Sequence, residues 1–218
     1  MDPQFWHERW EQGQIGFHQP DYHPALLAAW PTFALAPGSR VFVPLCGRSL
    51  DMAWLAARSH TVVGIELSPI AVEGFFEHEK LVPTREPCGA LERWRAGRYE
   101  LLCGDFFDLD REALGEVAGW YDRAALVALP PDLRRRYVER LAELLPAGAR
   151  GLLVTVDYDQ ARMDGPPFSV PPVEVEGLYA TAFDVEPLGR HDCLPENPRF
   201  RERGLASLFE STFRLTRR

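Results

Sequence analysis

Two features of the sequence have residue types and a spacing that suit a chemical role. They are a short loop with one glycine and a glutamate farther along the chain. The loop is Pro44-Leu45-Cys46-Gly47-Arg48-Ser49, and Glu66 follows it by about 20 residues, at the end of an apolar run. In nucleotide-binding α/β folds, an acid at that place accepts hydrogen bonds from ribose hydroxyls. The loop lacks the Gly-x-Gly-x-x-Gly pattern that admits a pyrophosphate, which argues against NAD or FAD. A ribose without a pyrophosphate points to an adenosyl cofactor such as S-adenosylmethionine; a solvated strand-end glutamate is the alternative.

Asp105 and Phe106 form a second candidate pair, directly after the apolar run 99–103. A short acid there can accept a hydrogen bond from the amino group of an adenine, while the phenyl ring packs on the adenine face. The alternative, which these two residues alone favour, is an aspartate that caps a turn and a phenylalanine in the core.

Strands and helices that alternate along the chain must position these residues. Apolar and β-branched runs predict strands at 40–44, 61–66, 99–103, within 120–129, at 151–158, 183–188 and 205–215. Capping residues and helical periodicity predict helices at 3–12, from 24, at 50–58 capped by Ser49, at 69–80 after Ser68-Pro69, at 111–118, 130–145 and 173–179. Residues 83–98 and the proline-rich stretch 164–172 are predicted to be irregular.

This alternation predicts one α/β domain on a mostly parallel sheet. Ligands of such sheets bind beyond the carboxyl ends of the strands, where the strand order switches. The residues that follow each strand are therefore expected to carry the chemistry, and Arg123, after the fourth strand, joins the loop, Glu66 and Asp105 in that set.

Composition excludes several other classes of protein. The 218 residues carry a formal net charge of −8, which disfavours a nucleic-acid binder because phosphate neutralisation needs a basic face. The four cysteines form no Cys-x-x-Cys pair, so we expect reduced thiols in a cytoplasmic protein and no metal site. Neither a signal peptide nor an apolar run of membrane-spanning length is predicted.

Four segments resemble, in this order, the thiopurine S-methyltransferase family in its bacterial form: RVFVPLCGRSLDMAWLA, VVGIELSPIAVEGFF, YDRAALVAL and GPPFSVP. The N-terminal WHERWEQGQIGFHQ also resembles the opening segment of that family. The similarity runs from about Phe5 to Phe213. The Pro-Leu-Cys-Gly-Arg-Ser loop stands where other methyltransferases carry a glycine-rich loop, as in that family.

The resemblance implies the class I fold of S-adenosylmethionine-dependent methyltransferases. This is a single Rossmann-like α/β domain over residues 1–218, with helices on both faces of a mostly parallel sheet and an antiparallel C-terminal strand. A helical lid over residues 1–30 would cover the cofactor. The cofactor S-adenosyl-L-methionine, which leaves as S-adenosyl-L-homocysteine, would by this resemblance contact Trp10, Leu45, Glu66 and Arg123, with Trp6 flanking the same pocket. Asp105 and Phe106 join this set from their place after the third strand.

The resemblance places Phe17 and Arg199 at the methyl acceptor, with Arg123 and Arg199 as the catalytic cations. The stretch PRFRERG departs from the family, so Arg201 or Arg203 is an alternative to Arg199. From spacing alone, Trp6 and Trp10 are more typical of a core than of a cofactor site. Arg123 alone would be read as forming a surface ion pair with its neighbour Asp122.

The implied reaction is methyl transfer to the thiol or thiolate of small aromatic or heterocyclic thiols such as thiopurines, by a monomer without nucleic-acid or membrane partners. Such thiols ionise near neutral pH, so a nearby arginine suffices to favour the anion. His18 and His23 are alternative bases, but the sequence identifies no acid beside them. Methylation of selenium or tellurium species for detoxification, a nucleotide-dependent oxidoreductase and a non-catalytic adenosyl-binding domain remain as alternatives.

Overall fold

Strands and helices alternate along most of the computed structural model, which describes residues 3–16 and 19–218. The strands are β1 (Arg40–Val43), β2 (Thr61–Glu66), β3 (Thr84–Cys88), β4 (Leu91–Ala96), β5 (Tyr99–Cys103), β6 (Gly119–Arg123), β7 (Arg150–Asp157), β8 (Phe183–Asp192) and β9 (Phe209–Arg217). The helices are α1 (Pro3–Glu11), α2 (Pro24–Ala29), α3 (Asp51–Ala57), α4 (Pro69–His78), α5 (Arg111–Leu114), α6 (Pro131–Leu144), α7 (Pro172–Tyr179) and α8 (Pro198–Glu202).

These strands form one sheet in the order β3-β4-β5-β2-β1-β6-β7-β9-β8. The central run from β5 to β7 is parallel, whereas β9 pairs antiparallel with both β7 and β8. The predicted α/β domain, with its mostly parallel sheet and antiparallel C-terminal strand, is confirmed. The strand order switches between β1 and β6, so the residues after β1, β2, β5 and β6 meet at one edge of the sheet.

The two faces of the sheet pack against different helices because side chains alternate along each strand. Phe42 of β1 packs into the core layer that includes Tyr137 of α6. Val41, on the opposite face of β1, joins the layer that includes Trp54 of α3 and Phe75 of α4. No helix in the described ranges combines the length and the apolar character needed to cross a membrane.

Residues 83–98 are ordered, so the prediction of an irregular excursion is wrong. They form the hairpin β3–β4, which adds antiparallel to β5 at one end of the sheet. Pro87 argued against a strand because proline has no backbone N–H to donate. It is tolerated here because β3 is the outermost strand of the sheet. Gly89, with φ of +62°, makes the turn of the hairpin.

Several predicted boundaries shift by a few residues. The helix predicted at 111–118 ends at Leu114, because Gly115 takes a positive φ of +71°. Leu50 rather than Ser49 occupies the N-cap of α3, although the Ser49 hydroxyl still accepts a bond from the Asp51 amide. The helix predicted at 69–80 ends at His78, β8 extends to Asp192, β9 begins at Phe209, and the short helix α8 was not predicted.

Candidate active site

A cavity of about 1220 Å³ opens at the carboxyl ends of the parallel strands. Among its lining residues are all the predicted site residues that the structure describes: Trp6, Trp10, Leu45, Glu66, Asp105, Phe106, Arg123 and Arg199. Phe17 and His18, which were predicted to border the acceptor or to act as a base, lie outside the described residues.

The loop after β1 is fixed to β2 through the carboxylate of Glu66. The Gly47 amide donates to Oε2 and the Ser68 amide donates to Oε1, each at 2.9 Å. Burial raises the pKa of Glu66, while the bonds from these amides oppose the rise. Each carboxylate oxygen keeps a second lone pair, so the group can accept further hydrogen bonds from a ligand in the cavity.

Trp10 packs directly on this loop. The backbone of Gly47 has a φ of +52°, and a Cβ atom there would lie 3.3 Å from Cζ2 of Trp10. Leu45 also has a positive φ, of +46°, so the loop turns sharply on both sides of Cys46. Glycine suits this position because it has no Cβ atom, which permits the close contact with Trp10, and because it adopts a positive φ without strain. A loop with these properties can also bring its backbone close to a ligand. Trp10 itself is 7% exposed, and its remaining surface lies on the cavity wall.

Asp105 and Phe106 take part in local structure as well as in the cavity wall. Oδ1 of Asp105 accepts a bond of 2.9 Å from the Phe107 amide and so caps the short 3₁₀ turn that follows β5. The ring of Phe106 is mostly buried, with its centroid 4.9 Å from that of Tyr137. Within the protein, Asp105 therefore acts as a turn cap and Phe106 as a core residue, as the alternative interpretation of the sequence expected. The rest of their surface faces the cavity.

Arg123 and its neighbour Asp122 point to opposite sides of β6. Asp122 is fully buried, where it accepts a bond of 2.6 Å from the Tyr137 hydroxyl, and burial raises its pKa to about 6. Arg123 lines the cavity and makes no hydrogen bond or ion pair with any described residue. The surface ion pair between them, considered from the sequence, is therefore absent, and the guanidinium is available to a ligand.

The structure separates the three arginines of the PRFRERG stretch. Arg199 and Arg203 line the cavity, and Arg199 donates to the carbonyl of Gly16 in the N-terminal segment. Arg201 is not among the lining residues of the described chain and donates instead to the Pro195 carbonyl. Partial burial, together with the positive charges of Arg203 and Arg123, lowers the pKa of Arg199, so these three cations face one another.

A histidine and a glutamate that the sequence could not connect also meet in the cavity. Nε2 of His23 lies 3.2 Å from Oε2 of Glu210, although 187 residues separate them. The backbone amide of His23 donates to Asp51, which accepts a further bond from the Tyr121 hydroxyl. No local pattern identifies Glu210, since its partner is brought to it by the order of the strands.

Cys46 lies beside Glu66 in the cavity wall, but its thiol is buried. Burial and the negative charge of Glu66 raise the pKa of this thiol well above its usual value. A neutral thiol is a poor nucleophile, so the geometry supports the packing role expected from the sequence.

Comparison with known proteins agrees with this geometry. The family model for thiopurine S-methyltransferase matches residues 1–218. The chain is 51% identical over 217 residues to the thiopurine S-methyltransferase of Pseudomonas entomophila, covering 100% of both chains. It is 49% identical over 218 residues to that of Nitrosospira multiformis, covering 100% of this chain and 99% of the relative.

Solved structures of S-adenosylmethionine-dependent methyltransferases share the fold at low sequence identity. The 1,6-didemethyltoxoflavin-N1-methyltransferase of Burkholderia thailandensis, solved with S-adenosylhomocysteine, aligns with a TM-score of 0.65 at 18% identity, over 98% of this chain and 87% of its own. A TehB-like methyltransferase from Corynebacterium glutamicum aligns with a TM-score of 0.58 at 14% identity, over 99% and 98%. Together with the family match over its full length, this means that the chain belongs to the thiopurine S-methyltransferase family and is an enzyme that uses S-adenosyl-L-methionine.

Proposed function

We propose that the protein methylates the sulfur of small aromatic or heterocyclic thiols, with thiopurines among them. The observation that carries the proposal is Arg123, a guanidinium at the end of β6 that lies in the cavity without a partner among the described residues. An arginine stays charged at any working pH, so it favours an anionic thiolate over the neutral thiol. The names of the relatives at about 50% identity support the same acceptor class.

The adenosyl group would be held at the ends of β2 and β5. Glu66 offers its remaining lone pairs to the ribose hydroxyls, and Asp105 offers Oδ2, since only its Oδ1 is used by the turn. The loop at Leu45–Gly47, which Trp10 covers, would hold the methionine portion. When bound, the cofactor supplies an activated methyl group on a sulfonium, and aromatic faces attract such a cation.

Little covalent assistance is then needed from the protein. Placing the thiolate in line with the methyl group converts a bimolecular reaction into one within a single complex, which can supply much of the rate enhancement. Arg123 holds the acceptor, and Arg199 and Arg203 add positive charge on the same side of the cavity. A cleft with this sign of charge also draws anionic acceptors toward it.

The N-terminal segment is proposed to serve as a lid. Phe5, Trp6 and Trp10 from α1 all line the cavity, and Arg199 bonds to the segment at Gly16. Closing such a segment over the reactants excludes water from the site.

A turnover assay tests the acceptor class. The purified protein is given S-adenosylmethionine with a thiopurine, thiophenol or selenite, and S-adenosylhomocysteine is measured. Turnover with both thiols supports the proposal, and turnover with selenite alone would establish the selenium alternative in its place. Tight binding of S-adenosylhomocysteine without turnover of any acceptor would identify an adenosyl-binding protein instead. The same assay on Arg123→Ala tests the residue that carries the proposal, and Arg98→Ala is its matched control, because Arg98 bonds to the Ser59 carbonyl outside the cavity.

A further inference from the structure

Glu210 places a negatively charged group on the acceptor side of the cavity, which the thiolate mechanism leaves unused. It lies on β9 opposite Val156 of β7, and its side chain is 15% exposed. Its Oε2 is bonded to His23, whereas its Oε1 makes no hydrogen bond with any described residue. One oxygen is therefore held in place and the other is available to a ligand.

The contacts of His23 decide which member of this pair can accept a proton. Nδ1 accepts a bond of 3.3 Å from the Ala25 amide at the start of α2. Because Nδ1 must keep its lone pair for that bond, the proton of a neutral ring sits on Nε2 and is donated to Glu210. The imidazole has no lone pair left for an acceptor molecule. His23 therefore orients the carboxylate, and the free lone pairs in the cavity belong to Glu210.

The charges around Glu210 keep it ionised. Burial alone would raise its pKa, but the hydrogen bond from His23 and the positive charge of Arg123 oppose burial, and the pKa lies below its usual value. An ionised carboxylate only accepts hydrogen bonds, so it attracts an N–H group on the side of the acceptor that faces β9.

The strand register sets the distance between Arg123 and Glu210. Arg123 pairs with Val154 on β7, and Val154 pairs with Thr212 on β9. Glu210 lies two residues before Thr212, on the same face of β9, and both line the cavity. Two strand spacings, about 10 Å, separate the backbones of β6 and β9, and Glu210 is offset by a further two residues along β9. The two side chains therefore enter the cavity from separate strands, and the charge of Arg123 still acts on Glu210.

We propose that Glu210 accepts the ring N–H of a heterocyclic thione whose sulfur faces Arg123, and that it takes up this proton during methyl transfer. The proposal rests on the proposed function and specifies its acceptor class. The favoured acceptors are heterocycles in which an N–H group adjoins the C=S carbon.

The step balances in atoms and charge. The thione sulfur forms a bond to the methyl carbon as the bond from that carbon to the sulfonium breaks, and the electron pair of the broken bond stays on the departing thioether. The N–H electron pair forms a C=N bond while the C=S bond becomes single. The proton passes to Oε1 of Glu210. The positive sulfonium and the negative carboxylate become a neutral thioether and a neutral acid, and the neutral thione becomes a neutral S-methyl heterocycle.

Two acceptors and one substitution separate this role from a structural one. Pyridine-2-thione carries an N–H group beside its C=S carbon, whereas thiophenol has no ring nitrogen. In Glu210→Gln the amide replaces the carboxylate at nearly equal size but takes up no proton. We expect kcat/KM to fall by about 10²-fold for pyridine-2-thione and to change by less than about threefold for thiophenol. Glu186→Gln is the matched control, because Glu186 is paired with Arg214 on the exposed side of β8.

The result that would overturn the proposal is an equal loss with both acceptors, or no loss with either. Calorimetric titration with S-adenosylhomocysteine checks that Glu210→Gln retains its cofactor site; unchanged affinity with the selective loss supports the role of Glu210. If the wild type methylates thiophenol but not the thione, the inference fails while the proposed function stands. If the wild type methylates neither and still binds S-adenosylhomocysteine, the proposed function fails and the inference falls with it.

Discussion

The carboxylate of Glu66 accepts a hydrogen bond of 2.9 Å from the backbone amide of Gly47, and this bond joins the end of β2 to the loop after β1. The glutamate thus has a structural partner in the loop and a face toward the cavity. The loop depends on the carboxylate for its shape, so any substitution of Glu66 alters both the loop and the cavity wall.

Replacement of Glu66 by alanine is expected to weaken cofactor binding. Loss of charge-assisted hydrogen bonds to the ribose should cost about 1–3 kcal/mol in the calorimetric binding free energy for S-adenosylhomocysteine. The free energy of unfolding should also fall, because the buried amides of Gly47 and Ser68 lose their acceptor. Glu77→Ala, on the exposed side of α4, serves as the control. Equal affinity in Glu66→Ala and wild type would remove Glu66 from the cofactor site.

Two substitutions of Arg123 should separate the contribution of its charge to the rate from the contribution of its planar geometry. Arg123→Ala is expected to lower kcat/KM for aryl thiols by about 10²-fold or more, as when one preorganised donor is removed from an active site. Arg123→Lys keeps the charge but loses the planar fork, so its loss should be smaller. The affinity for S-adenosylhomocysteine is measured in parallel. Identical rates for alanine, lysine and wild type would show that the acceptor does not meet this guanidinium.

The lid proposal predicts a change in hydrogen exchange on cofactor binding. Amides of residues 4–12 should exchange more slowly with S-adenosylhomocysteine bound, because closure over the ligand stabilises α1. Amides of β1, in the centre of the sheet, provide the internal reference. If α1 is equally protected with and without the ligand, Trp6 and Trp10 are core residues and the segment is not a lid.

The buried Asp122 predicts a pH-dependent stability. Its pKa is about 6 in the folded protein and about 4 in an unfolded chain, so the folded state binds the proton more tightly. Its contribution to stability is therefore fully present below pH 4 and is lost as the pH rises toward 6, by about 3 kcal/mol in total. Asp122→Asn cannot ionise. Urea unfolding from pH 4 to 7 should show the wild type losing stability relative to the variant, and parallel curves would contradict the assignment.

Local sequence determined the central part of this fold. The runs at 61–66 and 99–103 became β2 and β5 with the predicted bounds, because short, largely apolar runs favour a strand buried on both faces. Ser68-Pro69 marked the start of α4, since proline fits the first helical turn. The loop after β1 and the segment around Arg123 carry residue patterns specific enough to indicate the family by themselves.

Edges and long-range pairs were decided by tertiary structure. Pro87 lies in a strand only because β3 pairs on one side, which the sequence of β3 does not encode. Asp122 and Arg123 point to opposite faces of β6, so the apparent ion pair became a buried acid and a cavity guanidinium. The sequence favoured Arg199 and left Arg201 and Arg203 as alternatives, and the orientation of α8 brings Arg199 and Arg203, but not Arg201, to the cavity.

The pairing of His23 with Glu210 is the clearest case of this division. Periodicity and capping act over a few residues, so they fix strands and helices but carry no information on which distant elements become neighbours. The order β7-β9-β8 and the position of α2 beside it bring the two side chains within 3.2 Å. In the sequence, His23 has no acidic partner that a local pattern identifies. The connections between the strands bring Glu210 next to it.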